Sequence, residues 1–225
     1  MNTKKLVVFD MDDTLITNNK WWDFNIAMGV SNERDYELYK MFKNGDIDYT
    51  EWLTLLESEY KSNTPKETVV NVLSTYTLAD GAGGAARIAK AHGLTTAIIS
   101  GSFTITAEKL AADLGIDYVR ANTACKFTNN NTNVAQYFDR LVSGGEEGAA
   151  KLLLLEQLCD ELGFELTEVI AVGDSMNDVK IFEATGCGVT FEHVAAEVKA
   201  ASTHTIQSLT EFPKLLETIL ESAQS

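Results

Sequence analysis

Three carboxylates crowd the stretch LVVFDMDDTL at residues 6–15, where Asp10, Asp12 and Asp13 follow four apolar residues. Two carboxylates at ~4 Å repel by about 4 kcal/mol at an effective dielectric of 20, so something must offset the cost, and a cation is the obvious candidate. An aspartate at a strand end is also a nucleophile. Asp10 can attack phosphorus to give an aspartyl-phosphate, which splits a difficult hydrolysis into two steps. Asp12 can protonate the departing oxygen and later take a proton from water. Thr14 completes a DxDxT spacing. The same residues also suit an acidic turn that caps the next helix.

Three further stretches carry matching chemistry. In AIISGSFT, Ser100 offers a hydroxyl and Gly101 a backbone N–H that no Cβ obstructs. A helix beginning near Phe103 turns its free N–H groups toward an anion, although a plain loop fits the residues too. Lys151 opens the helical AAKLLLLEQL, where the helix dipole disfavours a cation, so it marks either a nearby anion or a solvated surface. In AVGDSMNDVKIFEATG, Asp174 stands at a strand tip and Asp178 follows one helical turn later, facing the crevice that holds Asp10. Hard carboxylate oxygens beside water and phosphate suit Mg²⁺. A helix N-cap at Asp174 or Ser175 is the alternative.

These residues need a frame. Short apolar runs at 5–10, 94–100, 117–121, 169–174 and 187–191 read as strands, and between them lie helical patterns that end in Gly. That alternation predicts an α/β fold, a doubly wound parallel sheet with helices on both faces. Residues 16–79 break the rhythm with helical pieces alone, and follow the first strand at the edge where ligands bind. We expect a core domain over 1–15 and 80–225 and a helical cap over 16–79. A β-hairpin is expected near 121–142, with NNNTN as a polar surface turn.

Composition narrows the function. A 45% apolar content with only two prolines indicates a folded chain, and a net charge of −15 disfavours nucleic acid or anionic membrane as partner. No apolar run reaches the ~18 residues of a membrane span, which points to a cytoplasmic protein. Cys125, Cys159 and Cys187 are odd in number and far apart, so neither disulfides nor zinc are expected. His92, His193 and His204 carry no ligand spacing and receive no role.

DxDxT, Ser-Gly, Lys and GDSxxD in this order on an α/β frame resemble the haloacid dehalogenase superfamily. The helical insertion, SGSF and VGDSMNDVKIFEATGCGVTF resemble its phosphoserine phosphatase group more narrowly. The resemblance implies an Mg²⁺-dependent phosphatase of a small phosphorylated metabolite. In it Asp10 is the nucleophile, Asp12 the general acid/base, and Ser100, Gly101 and Lys151 the phosphate ligands. Mg²⁺ is held by Asp10, the Asp12 carbonyl and Asp174, with Thr14 and Asp178 in support. A phosphotransferase with a non-water acceptor, or a binding protein on the same fold, are the other outcomes. The group's Glu after DxDxT is replaced here by Asn18, Asn19 and Lys20, and the insertion holds one arginine, Arg34, so phosphoserine is not the expected best substrate. Trp21, Trp22 and Asp23 are candidates for contact with the substrate's organic part, including a quaternary ammonium, while the indoles equally suit the cap's own core.

Overall fold

The computed structural model describes residues 3–142 and 147–224. Seven strands form one sheet in the order β4-β3-β2-β1-β5-β6-β7. They are β1 (Leu6–Phe9), β2 (Thr95–Phe103), β3 (Tyr118–Phe127), β4 (Val134–Arg140), β5 (Val169–Val172), β6 (Gly188–Phe191) and β7 (His204–Ile206). All neighbours run parallel except the hairpin pair β3 and β4. The fourth strand realises the expected hairpin, whereas the short β7 carries too few apolar residues to stand out in the sequence.

β1 lies at the centre because its residues are apolar on both sides. Val7 and Phe9 pack on one face with Ile98, Ile170 and Val172, beneath α5 (Ala82–Ala91), α6 (Thr104–Leu114) and α10 (Phe212–Gln224). Leu6 and Val8 pack on the other with Ala97, Ile99 and Ala171, beneath α7 (Glu147–Leu162), α8 (Val179–Thr185) and α9 (Ala196–Ala201). A strand buried on both faces reads as a continuous apolar run, as LVVF does. The chain leaves β1 toward β2 on one side and β5 joins on the other, so the switch point falls at the end of β1.

Between β1 and α5 lie only helices among the described residues: α1 (Lys20–Met28), α2 (Asn32–Asn44), α3 (Tyr49–Glu59) and α4 (Lys66–Leu73). They enclose their own core of Phe24, Met28, Leu38, Trp52, Leu56 and Val69. Two connections join them to the sheet domain and pair with each other, through Thr17 N–H to Thr77 O at 2.9 Å and Ala79 N–H to Leu15 O at 2.9 Å. The hairpin supplies a further support. Its NNNTN turn is the exposed polar turn expected, and it also ties the hairpin to the helices: Lys66 N–H donates to Thr132 O at 2.8 Å, Val134 N–H to Thr64 O at 3.0 Å, and the Lys66 ammonium to Asn131 Oδ1 at 2.8 Å. Phe138 of β4 joins the aromatic core of the helices. Hydrogen-bonding turn residues found a partner surface that a polar composition does not announce.

Candidate active site

Asp10 follows β1 directly, and its N–H donates to Val172 O at 2.8 Å, which ties it to the end of β5. The chain then folds sharply. The N–H groups of Leu15 and Ile16 both donate to Met11 O, at 3.0 and 3.1 Å, and Asp13 takes φ +57°, a left-handed conformation that aspartate tolerates better than most residues. This turn sets Asp10, Asp12 and Thr14 around one point. The Thr14 hydroxyl donates to Asp174 Oδ1 at 3.0 Å across the switch point.

Lys151 is 1% exposed, so the surface alternative for it is wrong. Its ammonium lies 2.7 Å from Asp10 Oδ1, 2.6 Å from Asp178 Oδ1 and 2.9 Å from Asn177 Oδ1. Burial alone pulls a lysine toward neutrality, but Asp10 and Asp178 outweigh it and hold the ammonium above its ordinary value. The other oxygen of Asp178 accepts the N–H groups of Asp174 and Ser175, both at 3.1 Å, and the Ser175 hydroxyl at 3.2 Å. That close approach depends on Gly173, where a Cβ would meet the Asp178 carboxyl carbon at 2.4 Å.

Carboxylate oxygens of Asp10, Asp174 and Asp178 lie within 4.8 Å of one another. Asp178 already spends both oxygens on Lys151 and the loop donors, which makes it the anchor of the loop, while Asp10 and Asp174 have oxygens to offer a cation. Burial raises the Asp10 carboxyl well above its ordinary value; Lys151 opposes the shift while Asp178 and Asp174 reinforce it. Burial first and then Asp178 push Asp174 up to about 7. A cluster of hard oxygens so reluctant to ionise alone fits a divalent cation, which would restore the charged forms.

Asp12 points to the helical side. Its Oδ1 accepts the backbone N–H of Lys20, the first residue of α1, at 2.9 Å. Burial pushes its carboxyl up to about 6, with the Lys20 N–H pulling against it. An acid of that strength can both give and take a proton near neutral pH. Ser100, Gly101 and Ser102 line the same cavity, where the pairing of β2 with β3 shifts register between Ser100 and Phe103. Ser102 N–H donates to Ser100 Oγ at 3.1 Å and the Thr123 hydroxyl holds Gly101 O at 2.9 Å, so the strand end is rigid. α6 starts immediately after with no side-chain cap, leaving its first N–H groups for an anion.

Asp10, Asp12, Ser100, Gly101, Asp174 and Asn177 line one cavity of about 790 Å³ between the sheet and the helical insertion, with Lys151 and Asp178 buried behind them. Trp21 and Trp22 line it. Trp21 does so while packing in the insertion's core, with ring centroids 4.7 Å from Phe103, 5.1 Å from Phe138 and 5.7 Å from Trp52. Trp22 is 39% exposed at the mouth. Asp23 does not belong with them. Two residues on from Trp21, it lies roughly 200° around the helix, where it pairs with Lys20 at 2.8 Å and lines a separate outer cavity with Asn71 and Thr75. Arg34 pairs with Glu37 and Glu59 and does not line the main cavity.

Sequence reasoning missed four contributors. Asn177 sat inside the quoted GDSMND motif but received no role. Asp35, Tyr49 and Trp52 come from α2 and α3, and only packing against α1 brings them to the cavity. For Asp35 the one available signal was misleading, because NERDYE reads as a solvated charged face, yet Asp35 is 2% exposed.

Asp10 and Asp12 behind β1, the buried Lys151 and the acidic cluster of Asp174 and Asp178 thus gather at the switch point of an α/β sheet. The model of the haloacid dehalogenase-like hydrolases matches residues 4–186, and the chain belongs to that family. It is 32% identical over 208 residues to a phosphoserine phosphatase of Albidiferax ferrireducens, covering 91% of this chain and 85% of the relative. A phosphoserine phosphatase of Methanocaldococcus jannaschii is 29% identical over 193 residues, covering 84% and 85%. The chain spans only 61% of the length of a probable phosphoserine phosphatase of Schizosaccharomyces pombe, at 30% identity over 84% of this chain. Among solved structures, a substrate-bound phosphoserine phosphatase complex superposes with a TM-score of 0.77 at 26% identity, covering 96% of this chain and 99% of that one. A phospho-aspartyl intermediate analogue of phosphoserine phosphatase gives 0.76 at 28%, covering 95% and 99%.

Proposed function

We propose that this chain hydrolyses a small phosphomonoester through an aspartyl-phosphate on Asp10, with residues 1–15 and 80–225 as the catalytic core and 16–79 as the cap that encloses the substrate. The observation that carries the reading is Lys151, buried between Asp10 and Asp178 with Asp174 beside them. Such a site holds one ammonium beside carboxylates able to bind a cation, and a transferring phosphoryl group needs its charge neutralised by cations.

Asp10 attacks phosphorus, the ester P–O bond breaks, and Asp12 delivers its proton to the departing alkoxide. Lys151, the Ser100 hydroxyl and the Gly101 N–H hold the phosphoryl oxygens. Water then attacks the aspartyl-phosphate, Asp12 takes its proton, and inorganic phosphate leaves with Asp10 restored. Asp10, the Asp12 carbonyl and Asp174 are the residues that would hold Mg²⁺, which when bound neutralises phosphoryl charge. Thr14 orients Asp174, and Asp178 fixes both Lys151 and the loop.

The three thiols are unpaired, and among the described residues no helix is long and apolar enough to cross a membrane. We place the reaction in the cytoplasm, where thiols stay reduced, with a small phosphorylated metabolite as partner. Phosphate release from a panel of phosphomonoesters with Mg²⁺, run beside Asp10→Asn and with added alcohol acceptors, tests the proposal. Mg²⁺-dependent inorganic phosphate lost in the variant is the expected result. Transfer to the alcohols in place of water would make the chain a phosphotransferase.

A further inference from the structure

A phosphate seated at Asp10 sends the organic half of its ester into the cap chamber, so the chamber's chemistry sets the substrate. Asp35 is its most demanding feature. Both oxygens of this buried carboxylate accept from a single donor, the Asn25 amide, at 3.2 Å, and Asn25 in turn accepts the Tyr60 hydroxyl. No ion pair among the described residues includes Asp35. A buried carboxylate with one neutral donor is costly and retains lone pairs for a cation. It lines the same cavity as the catalytic residues.

The walls favour a particular kind of cation. Trp52 has Trp21 at 5.7 Å and 50° on one side and Tyr49 at 5.5 Å and 56° on another, so the rings are tilted to one another like the corner of a box. Aromatic faces attract alkylated ammonium groups, whose hydration is easily lost. One face of Tyr49 is already taken by the Arg140 guanidinium, its carbon 4.4 Å from the ring centroid, which leaves the other face for a ligand. The Glu147 carboxylate lies against Gly101, where a Cβ would meet it at 2.1 Å, and adds negative charge to the cavity wall. Among the described residues the cavity's lining cations are the lysines Lys43 and Lys180 and no arginine, so a substrate carboxylate meets no bidentate guanidinium.

We propose that the substrate is the phosphomonoester of an amino alcohol with an alkylated nitrogen and no carboxylate, with Asp35 as counter-ion and Trp21, Tyr49 and Trp52 as the surrounding rings. The inference rests on the phosphatase reading above.

The test compares phosphocholine with 3,3-dimethylbutyl phosphate, its uncharged isostere, alongside phosphoethanolamine, L-phosphoserine and p-nitrophenyl phosphate. Wild-type kcat/KM for phosphocholine should exceed that for the isostere and for L-phosphoserine by about tenfold or more, the scale of one desolvated cation–π contact. Asp35→Asn should bring the ratio of the isosteric pair to near unity. Equal rates on that pair in wild type, an unchanged ratio in Asp35→Asn, or a preference for phosphoethanolamine or L-phosphoserine would overturn the proposal, while p-nitrophenyl phosphate turnover would keep the phosphatase reading. If no ester turns over, the phosphatase reading fails, and tryptophan fluorescence decides the cation site separately. Quenching by choline but not by 3,3-dimethylbutanol, lost in Asp35→Asn, supports it, and equal responses refute it.

Discussion

On the sheet side of the cavity, Lys151 lies 2.7 Å from Asp10 and 2.6 Å from Asp178, whereas on the cap side the Asp35 carboxylate accepts from the Asn25 amide and has no ion pair among the described residues. Both walls bury carboxylates. The sheet wall is built from strand ends and a loop whose N–H groups are fixed by Asp178, so its charges are positioned before any ligand arrives. The cap wall is held by ring packing and by paired connections at 15–17 and 77–79. The proposed function therefore assigns chemistry to the rigid sheet edge and selection to a separately packed insertion.

The sharpest way to break this division is at the nucleophile. Asp10→Asn preserves volume and removes the attacking oxygen, so kcat should fall by at least about 10⁴ with the fold intact. Steady-state phosphate release and a thermal melt read both quantities. Appreciable activity in the purified variant would mean that the sheet wall is not the chemical one. Lys151→Met comes next and differs in kind. It leaves Asp10 and Asp178 buried without their cation, a loss of about 3–5 kcal/mol in stability, and turnover should fall as well. A melting point unchanged from wild type would show that a second cation neutralises the pair.

Asp12→Asn should divide substrates by leaving group. The loss is about 10²–10⁴ for an alkyl phosphate and smaller for p-nitrophenyl phosphate, whose departing oxygen needs little protonation. Single-turnover formation of the aspartyl-phosphate checks it, and equal losses on both esters would remove the acid role.

The metal-free protein offers a smaller effect that reads the same electrostatics. Burial holds Asp10, Asp12 and Asp174 above the ordinary 3.8, to about 6 for Asp12 and about 7 for Asp174. The native state then binds more protons than the unfolded chain across this window. Stability from these groups is full below about pH 4 and falls as pH rises toward 7. Lowering pH from 7.5 to 5.5 in EDTA should raise their contribution to the melting point, at about 2–4 °C per kcal/mol. Asp174→Asn should flatten that slope, and so should Mg²⁺ in the wild type. A steeper slope in the variant would contradict the assignment.

The two walls also differ in how far the sequence revealed them. Sheet-wall residues occupy strand ends and helix starts, so local patterns such as LVVFDMDDT and VIAVGDSMND place them without knowledge of tertiary packing. Lys151 was legible as an oddity, a cation thought to open a helix; α7 in fact runs from Glu147, so Lys151 stands in its second turn, and its pairing with Asp10 and Asp178 explains it. The cap wall has no such grammar. Asp35 lies on α2, Trp52 on α3 and Trp21 on α1, and their meeting depends on helix crossings that periodicity does not encode. Trp21 and Trp22 looked equivalent in sequence, and adjacent positions on a helix differ by roughly 100° in direction. The hairpin turn is the exposed polar turn its composition suggests, but its contacts with Lys66 were not legible, since a polar turn reads the same whether it meets water alone or a neighbouring ammonium.

The difference between the two adjacent indoles gives the finest test of the division. Trp21 packs against Phe103, Phe138 and Trp52 while lining the cavity, so Trp21→Leu removes ring contacts worth about 0.5–1.5 kcal/mol each beyond their area. It should therefore lower the melting point and change the substrate ranking together. Trp22 is 39% exposed, and its backbone N–H is capped by Asn19 whatever the side chain. Trp22→Leu should thus shift stability by less than about 0.5 kcal/mol, the range of ordinary surface changes. Because Trp22 stands at the mouth, its effect on kcat/KM should appear in KM, with kcat preserved, for substrates with a large organic part. The measurement is kcat and KM for both variants on a large and a small phosphomonoester, beside their melting points. A fall in kcat on the small ester from Trp22→Leu would show the cap wall acting on the chemistry itself, and the separation of chemistry from selection would then fail at its weakest joint.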